Sequence, residues 1–213
     1  MVGCMAQSPC YPEFEHVNHY WDRQRNKLVA KILPGEFYMT GEDTLIATTL
    51  GSCVSACVWD QRKQMGGMNH FMLPITNKDA DSVNWGNVQK VSTATRYGNF
   101  AMEYLINSIL KHGGCRQDLK IKIFGGAKVL SYMTDVGQRN INFVLQYLKD
   151  ERFEITTQDL GGEFPRKVLF DPRTGQAFVK KLKVLNNNTI IEREQNYQNS
   201  IGNEPLDGDV ELF

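Results

Sequence analysis

The chain lacks the features that would place it in several large classes of protein. Its 24 basic and 24 acidic side chains cancel, so the formal net charge is +0 and the pI is near 6.9. Bulk charge therefore does not recruit nucleic acid or an anionic membrane surface. No apolar run approaches the roughly 18 residues of a spanning helix, and the N-terminus has no basic stretch followed by an apolar one. We expect a soluble, cytoplasmic protein with no nucleic-acid partner and no direct membrane insertion.

Cysteine is scarce, and its spacing is irregular. The 213 residues include five cysteines and no Cys-x2-Cys pair, which argues against a disulfide framework and for reduced thiols. Cys53 and Cys57 share strand parity, so together with His70 they form a conceivable metal site. A structural zinc needs a fourth protein ligand, and the stretch 125–128 lacks the Walker pattern of a phosphate loop. We therefore expect no metal and no cofactor.

The apolar pattern of the chain predicts an α/β protein. With 41% hydrophobic residues, the chain can build the core of one domain. Helical spacing of apolar residues predicts helices over about 93–112 and around 141–148. Short apolar segments, separated by turn signals such as Gly51-Ser52 and Gly66-Gly67, predict strands over 28–33, 37–40, 44–50, 53–59, 67–73, 119–124, 153–157, 166–170 and 176–182. Many mixed strands with about two long helices predict a layered sandwich.

Composition divides the chain into three parts. Residues 1–27 are predicted to form an N-terminal extension and residues 28–185 the main domain. From 186 onward the sequence shifts to Asn, Gln and Glu with few large apolar residues, so 186–213 is predicted to be a disordered tail. We expect deletion of this tail to leave the melting temperature and the activity unchanged.

A cysteine and a histidine lie near each other in the most informative stretch of the sequence. Cys53 follows an apolar run and Gly51-Ser52, and His70 lies in the next predicted strand. A thiol becomes a useful nucleophile when an imidazole can take its proton, because the thiolate is the attacking form. The backbone N–H of Cys53, in a tight turn after glycine, is a candidate oxyanion donor. Cys57 is interpreted as a small core residue.

The residues around this pair resemble the CheD family of chemoreceptor glutamine deamidases, over roughly residues 28 to 183. The resemblance rests on several ordered blocks of sequence. These are Leu50-Gly51-Ser52-Cys53-Val54-Ser55-Ala56-Cys57-Val58-Trp59-Asp60, Gly67-Met68-Asn69-His70-Phe71-Met72-Leu73-Pro74, Arg96-Tyr97-Gly98-Asn99-Phe100-Ala101-Met102-Glu103, Phe124-Gly125-Gly126-Ala127, Gly137-Gln138-Arg139-Asn140 and Asp159-Leu160-Gly161-Gly162.

The resemblance implies a fold, an activity and a set of partners. The implied fold is an α/β/β sandwich like that of the deamidating cytotoxic necrotizing toxins. The implied enzyme is a protein-glutamine glutaminase of bacterial chemotaxis. Through a thioester and with release of ammonia, it converts selected glutamines on the cytoplasmic helices of methyl-accepting chemotaxis receptors to glutamate. The alternative is a non-catalytic adaptor that binds receptors or the CheC phosphatase.

The resemblance also implies a third catalytic residue beside Cys53 and His70. The family has a threonine five or six positions before the cysteine, where it orients the histidine. Position 47 is alanine here, and both Thr48 and Thr49 follow it. Thr48 is the favoured candidate, and Thr49 stays open because a kink at Gly51-Ser52 would break the strand parity relative to Cys53.

Overall fold

A computed structural model describes residues 11–74, 93–129, 136–183 and 189–201 of the chain. Within these ranges it contains ten strands and three α-helices. The strands are β1 (Asn18–Asp22), β2 (Lys27–Lys31), β3 (Phe37–Thr40), β4 (Thr44–Leu50), β5 (Val54–Asp60), β6 (Met65–Asn69), β7 (Leu119–Gly125), β8 (Ile155–Leu160), β9 (Arg166–Phe170) and β10 (Ala177–Lys181). The helices are α1 (Thr93–Lys111), α2 (Val136–Asp150) and α3 (Thr189–Ile201).

The strands form two mixed sheets of five. The first sheet has the order β1-β2-β4-β9-β10, and the second has the order β3-β6-β5-β7-β8. Strand pairs β2–β4 and β7–β8 are parallel, and the other pairs are antiparallel. The chain passes from the first sheet to the second between β2 and β3 and again at the turn between β4 and β5. The second crossing point carries Gly51, Ser52 and Cys53.

The layers stack as helices, second sheet and first sheet. Helices α1 and α2 pack on strands of the second sheet. Between the sheets, Trp59 of β5 meets Phe170 of β9 with ring centroids 6.1 Å apart, and both side chains are buried. The α/β/β sandwich with mixed strands is thereby confirmed. None of the helices in the described ranges is long and apolar enough to cross a membrane.

Most of the predicted elements are present with shifted ends. The helix predicted over 93–112 is α1, and the one predicted around 141–148 extends to the full length of α2. Gly66 and Gly67, interpreted as a turn, lie inside β6 instead. A Cβ atom on Gly67 would lie 2.6 Å from a methyl group of Leu105. Glycine here lets α1 approach the sheet closely.

The prediction of a disordered tail is wrong for residues 189–201, which form α3. The buried residues of α3 are Glu194, Gln198 and Ile201, which recur at helical spacing. Composition does not reveal this buried face because two of the three residues are polar. The remaining residues of the predicted tail lie outside the described residues.

The predicted N-terminal extension contributes to the first sheet. Within it, β1 pairs with β2, and Phe14 and Val17 are buried in the main core. Phe14 packs its ring against those of Phe37 and Tyr38. The strand β1 was not predicted, since its sequence lacks an alternating apolar pattern and the strand is largely exposed. The boundaries proposed at residues 27 and 185 stay predictions.

Candidate active site

The turn Gly51–Cys53 between β4 and β5 is held from outside through its carbonyl groups. The carbonyl of Gly51 accepts a hydrogen bond from the N–H of Ala127 at 2.8 Å, and that of Cys53 accepts one from the N–H of Gly126 at 2.7 Å. The carbonyl of Ser52 accepts one from the Nδ2 of Asn140 at 2.9 Å. The other end of the Asn140 amide accepts from the N–H of Leu73 at 2.9 Å. With its carbonyls fixed in this way, the turn has a preorganised backbone.

The three N–H groups of this turn donate to one carboxylate, that of Glu194 on α3. Oε1 accepts from Gly51 at 2.8 Å and from Cys53 at 3.2 Å. Oε2 accepts from the N–H of Ser52 at 2.8 Å and from its hydroxyl at 2.7 Å. Successive backbone N–H groups that converge on one point form an anion-binding nest. We call these groups the Gly51–Cys53 nest.

Gly51 is required for the close approach of the carboxylate. A Cβ atom on this residue would lie 2.7 Å from a carboxylate oxygen of Glu194, which is closer than van der Waals contact. The glycine before Ser52 and Cys53 therefore leaves room for the carboxylate of Glu194 at the nest.

Cys53 and His70, the pair that the sequence analysis singled out, lie together beside this nest. The Sγ of Cys53, a ring nitrogen of His70 and a carboxylate oxygen of Glu194 lie within 4.8 Å of one another. All three residues are buried. His70 is fixed through its backbone, because its N–H donates to the carbonyl of Glu36 and its carbonyl accepts from the N–H of Gly35. These two backbone hydrogen bonds limit the movement of His70 and so help to position its imidazole.

The structure places Thr48 rather than Thr49 against His70. Thr48 shares the inner face of β4 with Ile46 and Leu50 of the main core, and its Oγ1 lies 2.7 Å from the Nδ1 of the imidazole. Thr49 belongs to the opposite face of β4, which it shares with Leu45 and Ala47 of the smaller buried cluster. The kink at Gly51-Ser52 follows β4, so the alternation of side chains along β4 is undisturbed.

The hydrogen bonds of Thr48 determine the tautomer of His70. A hydroxyl has one hydrogen, and that of Thr48 is donated to the carbonyl of Ile32 at 2.9 Å. Its contact with Nδ1 therefore needs a proton on that nitrogen. Nε2 is then the unprotonated nitrogen, and it is buried with no hydrogen-bond partner among the described residues. This nitrogen is free to accept a proton.

Burial and the carboxylate of Glu194 keep the pair uncharged in this conformation. Burial, and then the negative charge of Glu194, raise the pKa of the Cys53 thiol well above its ordinary value. Burial lowers the pKa of His70 to about 3. A thiol beside a neutral imidazole is therefore the favoured state while α3 is in place.

The structure also shows where Cys57 lies and which residues are close enough together to bind a metal ion. Cys57 is buried in the main core, and burial raises the pKa of its thiol, as the core interpretation implies. Within the described ranges, the residues close enough together to share a metal ion are Cys53, His70 and Glu194, and Cys57 is not among them. Both oxygens of Glu194 already accept from the Gly51–Cys53 nest, and a structural zinc would need one more ligand.

Sequence reasoning missed two residues of this site. Glu194 lies in the segment 186–213 that composition predicts to be disordered, and the helical spacing of Glu194, Gln198 and Ile201 is the signal in the sequence that indicates a buried face. Asn140 lies in one of the blocks that carry the family resemblance, but nothing local shows that its amide bridges Ser52 and Leu73. Both contacts span long stretches of sequence.

Fold and site together define an α/β/β sandwich protein with a buried Cys-His-Thr constellation beside a backbone anion nest. The CheD chemotactic sensory transduction family matches residues 72–181 of the chain. Three relatives match over nearly all of it, and each is called "Probable chemoreceptor glutamine deamidase CheD". The chain belongs to the CheD family.

These relatives come from different bacteria. The protein of Halorhodospira halophila is 52% identical over 96% of this chain and 93% of its own. That of Hahella chejuensis is 46% identical over 95% and 93%, and that of Vibrio cholerae serotype O1 is 44% identical over 98% and 88%. The family match 72–181 begins after His70, so similarity around Cys53 and His70 rests on these longer matches.

Proposed function

We propose that this protein is a cysteine hydrolase that deamidates glutamine side chains of methyl-accepting chemotaxis receptors to glutamate. The names of the relatives support the reaction and the substrate. The observation that carries the proposal for this chain is the position of a thiol, an imidazole and converging N–H donors within one site. Receptor helices in the cytoplasm are the proposed partners, and the protein is proposed to act there.

Cys53 is the proposed nucleophile and His70 the proposed base. The unpaired Nε2 takes the thiol proton as sulfur attacks the carboxamide carbon, and it then returns this proton to the departing ammonia. The resulting thioester is hydrolysed by a water that His70 activates, and the products are glutamate and free thiol. Thr48 is proposed to hold the imidazole in the tautomer that leaves Nε2 free.

The Gly51–Cys53 nest is the proposed oxyanion site. The N–H groups of Gly51 and Cys53 both reach a single carboxylate oxygen, Oε1 of Glu194. In the tetrahedral intermediate of amide hydrolysis, the negatively charged oxygen is bonded to the attacked carbon. A carboxylate oxygen is bonded to its carbon in the same way, so Oε1 marks the position that the oxyanion would take. Fixed donors at such a position stabilise the developing charge without reorganisation.

An adaptor role, with the CheC phosphatase as a further partner, stays a prediction. It needs a binding surface but no reactive groups. A thiol beside an imidazole with a free nitrogen has no purpose in a pure adaptor, which is why we favour the enzyme.

The nucleophile is tested by Cys53→Ala, with Cys57→Ala as the matched control. Cys53→Ala should abolish conversion of glutamine to glutamate in a receptor cytoplasmic fragment, because no thioester can form. Cys57→Ala should keep at least about a tenth of it, since truncating a small core thiol affects stability rather than the transition state. Mass spectrometry of the fragment, reading about +1 Da per converted glutamine, measures both. Substantial conversion by a folded Cys53→Ala protein would refute the mechanism.

A further inference from the structure

Helix α3 covers the candidate active site. The crevice beside His70 is lined by residues of β2, β4 and the loop after β2 on one side and by Ile190, Arg193 and Glu194 of α3 on the other. Glu194 is 2% exposed. A receptor side chain therefore cannot reach the Gly51–Cys53 nest while α3 is docked, because the carboxylate of Glu194 already fills it.

The carboxylate that α3 places in the nest is the same chemical group that the proposed reaction produces. Deamidation of glutamine leaves a glutamate carboxylate beside the cysteine, with one oxygen in the oxyanion site. Glu194 presents that same group, on a side chain of the same length, with Oε1 on the N–H groups of Gly51 and Cys53. Among the described residues, the backbone N–H groups of Gly51, Ser52 and Cys53 and the hydroxyl of Ser52 donate to this carboxylate. Each of these donors is a neutral group of the turn, and no ion pair of Glu194 occurs within the described ranges.

Three further side chains of α3 determine how it docks. Tyr197 packs over Gly35, where a Cβ atom would lie 2.8 Å from its ring, and its hydroxyl pairs with that of Tyr97 on α1. Ile201 is buried in the main core. Gln198 is buried too, but its Nε2 has no hydrogen-bond partner among the described residues. An unsatisfied buried amide lowers the stability of the docked helix.

We propose that α3 is an internal product mimic, which occupies the substrate site through Glu194 and must leave before a glutamine presented by a receptor helix can enter. This inference rests on the proposed function. It makes the docked form an inhibited state, and it predicts that the nest binds helical segments carrying glutamine or glutamate. Docking also opposes formation of the Cys53 thiolate, since an anionic carboxylate beside the sulfur disfavours a second negative charge.

The inhibitory contact is tested by Glu194→Ala in the full chain, with Glu192→Ala as the matched control. Glu192 lies on the same helix with the same charge but is exposed. Glu194→Ala should raise the rate of Cys53 alkylation by iodoacetamide by about tenfold or more, a factor that corresponds to about 1.4 kcal/mol. It should also speed conversion of the receptor fragment. Glu192→Ala should leave both rates at the wild-type value, and circular dichroism must show that both variants are folded.

The product mimicry is tested by Glu194→Gln, which turns the mimic into a substrate. The sulfur of Cys53 would attack the new carboxamide carbon, the C–N bond would break with loss of ammonia, and water would hydrolyse the thioester to restore thiol and carboxylate. Mass spectrometry of the peptide around residue 194 should show conversion to glutamate, by about +1 Da, in Glu194→Gln. The double variant with Cys53→Ala should keep the glutamine.

The outcomes separate this inference from the proposed function. Wild-type rates in folded Glu194→Ala, or an unconverted residue 194 in a Glu194→Gln protein that converts the receptor fragment, would overturn the product mimic and leave the deamidase standing. Faster alkylation of Glu194→Ala with no conversion of any glutamine by any variant would support the inhibitory contact and overturn the deamidase. Conversion of residue 194 without Cys53 would show spontaneous chemistry and overturn the mimicry.

Discussion

At the scale of single residues, this protein combines reactive groups with neighbours that limit their reactivity. The thiol of Cys53 and the imidazole of His70 are buried together, and burial moves the pKa of each toward its uncharged form. The hydroxyl of Thr48 links the imidazole to the carbonyl of Ile32. The thiol and the imidazole are therefore positioned for proton transfer between them, whereas a stable thiolate–imidazolium pair is disfavoured in this conformation.

The role of Thr48 is tested by Thr48→Val, with Thr49→Val on the next position of β4 for comparison. Valine keeps the β-branched shape but removes the acceptor for the Nδ1 proton, so the imidazole loses the bond that determines its tautomer. We expect Thr48→Val to lower kcat by roughly 10- to 100-fold, which is a part of the ~10²- to 10⁴-fold that a positioned general acid–base contributes, and to change KM little. Thr49→Val should have a much smaller effect on kcat. Equal losses of kcat from the two substitutions would contradict the assignment.

At the scale of elements, three segments distant in sequence build the site around one turn. The β4–β5 turn supplies the N–H donors, the start of α2 supplies Asn140, and α3 supplies the carboxylate. The turn after β7 adds two more N–H groups through Gly126 and Ala127. Gly125, with φ +119°, makes this turn possible, because a Cβ atom there would lie 2.2 Å from the carbonyl oxygen of Cys53.

Removal of residues 186–213 should shift the pH dependence of Cys53 alkylation to lower pH. The deletion removes the carboxylate of Glu194 and part of the burial, and both of these raise the pKa of the thiol. Their loss lowers this pKa, so thiolate forms at lower pH. The measurement is the rate of iodoacetamide reaction against pH for the truncated and the full-length protein. Superimposable profiles would restore the original expectation of an inert tail.

The truncated protein also reveals whether His70 assists the thiol. His70→Ala in this background should move the profile back to higher pH, since an imidazolium near the sulfur favours the thiolate. His112→Ala, at the end of α1 with its ring bonded to the carbonyl of Ser108, should leave the profile in place.

At the scale of the whole molecule, the two sheets hold the site rigidly by packing against each other. Cys53 lies at the crossing between β4 and β5, and His70 directly follows β6 of the second sheet. Trp59 and Phe170 belong to the buried apolar layer between the two sheets. A close-packed layer of this kind tolerates little change of shape. The geometry of the site therefore depends on side chains such as Trp59 and Phe170, which lie outside the site itself.

This layer is tested by Phe170→Ala, with Phe178→Ala as the matched control. The two phenylalanines lie on the paired strands β9 and β10, but Phe170 is 0% exposed and Phe178 is 50% exposed. Truncating the buried ring should lower the free energy of unfolding by about 3–5 kcal/mol. Truncating the exposed ring should change it by less than about 1 kcal/mol. Urea unfolding of both variants measures the difference, and similar losses would show that the sheets do not pack as described.

The sequence by itself determined the class of fold and the family, and it singled out Cys53 and His70 as the proposed reactive pair. Local periodicity predicts strands and helices because their side chains alternate or repeat along the chain, and the ordered blocks around Cys53 and His70 carry the family resemblance. Only the tertiary structure decided between Thr48 and Thr49, because the choice depends on which face of β4 meets the second sheet. The same holds for Asn140 and Glu194. Their partners lie 88 and 143 residues away at Ser52 and Gly51, and no local pattern encodes a hydrogen bond across such a distance.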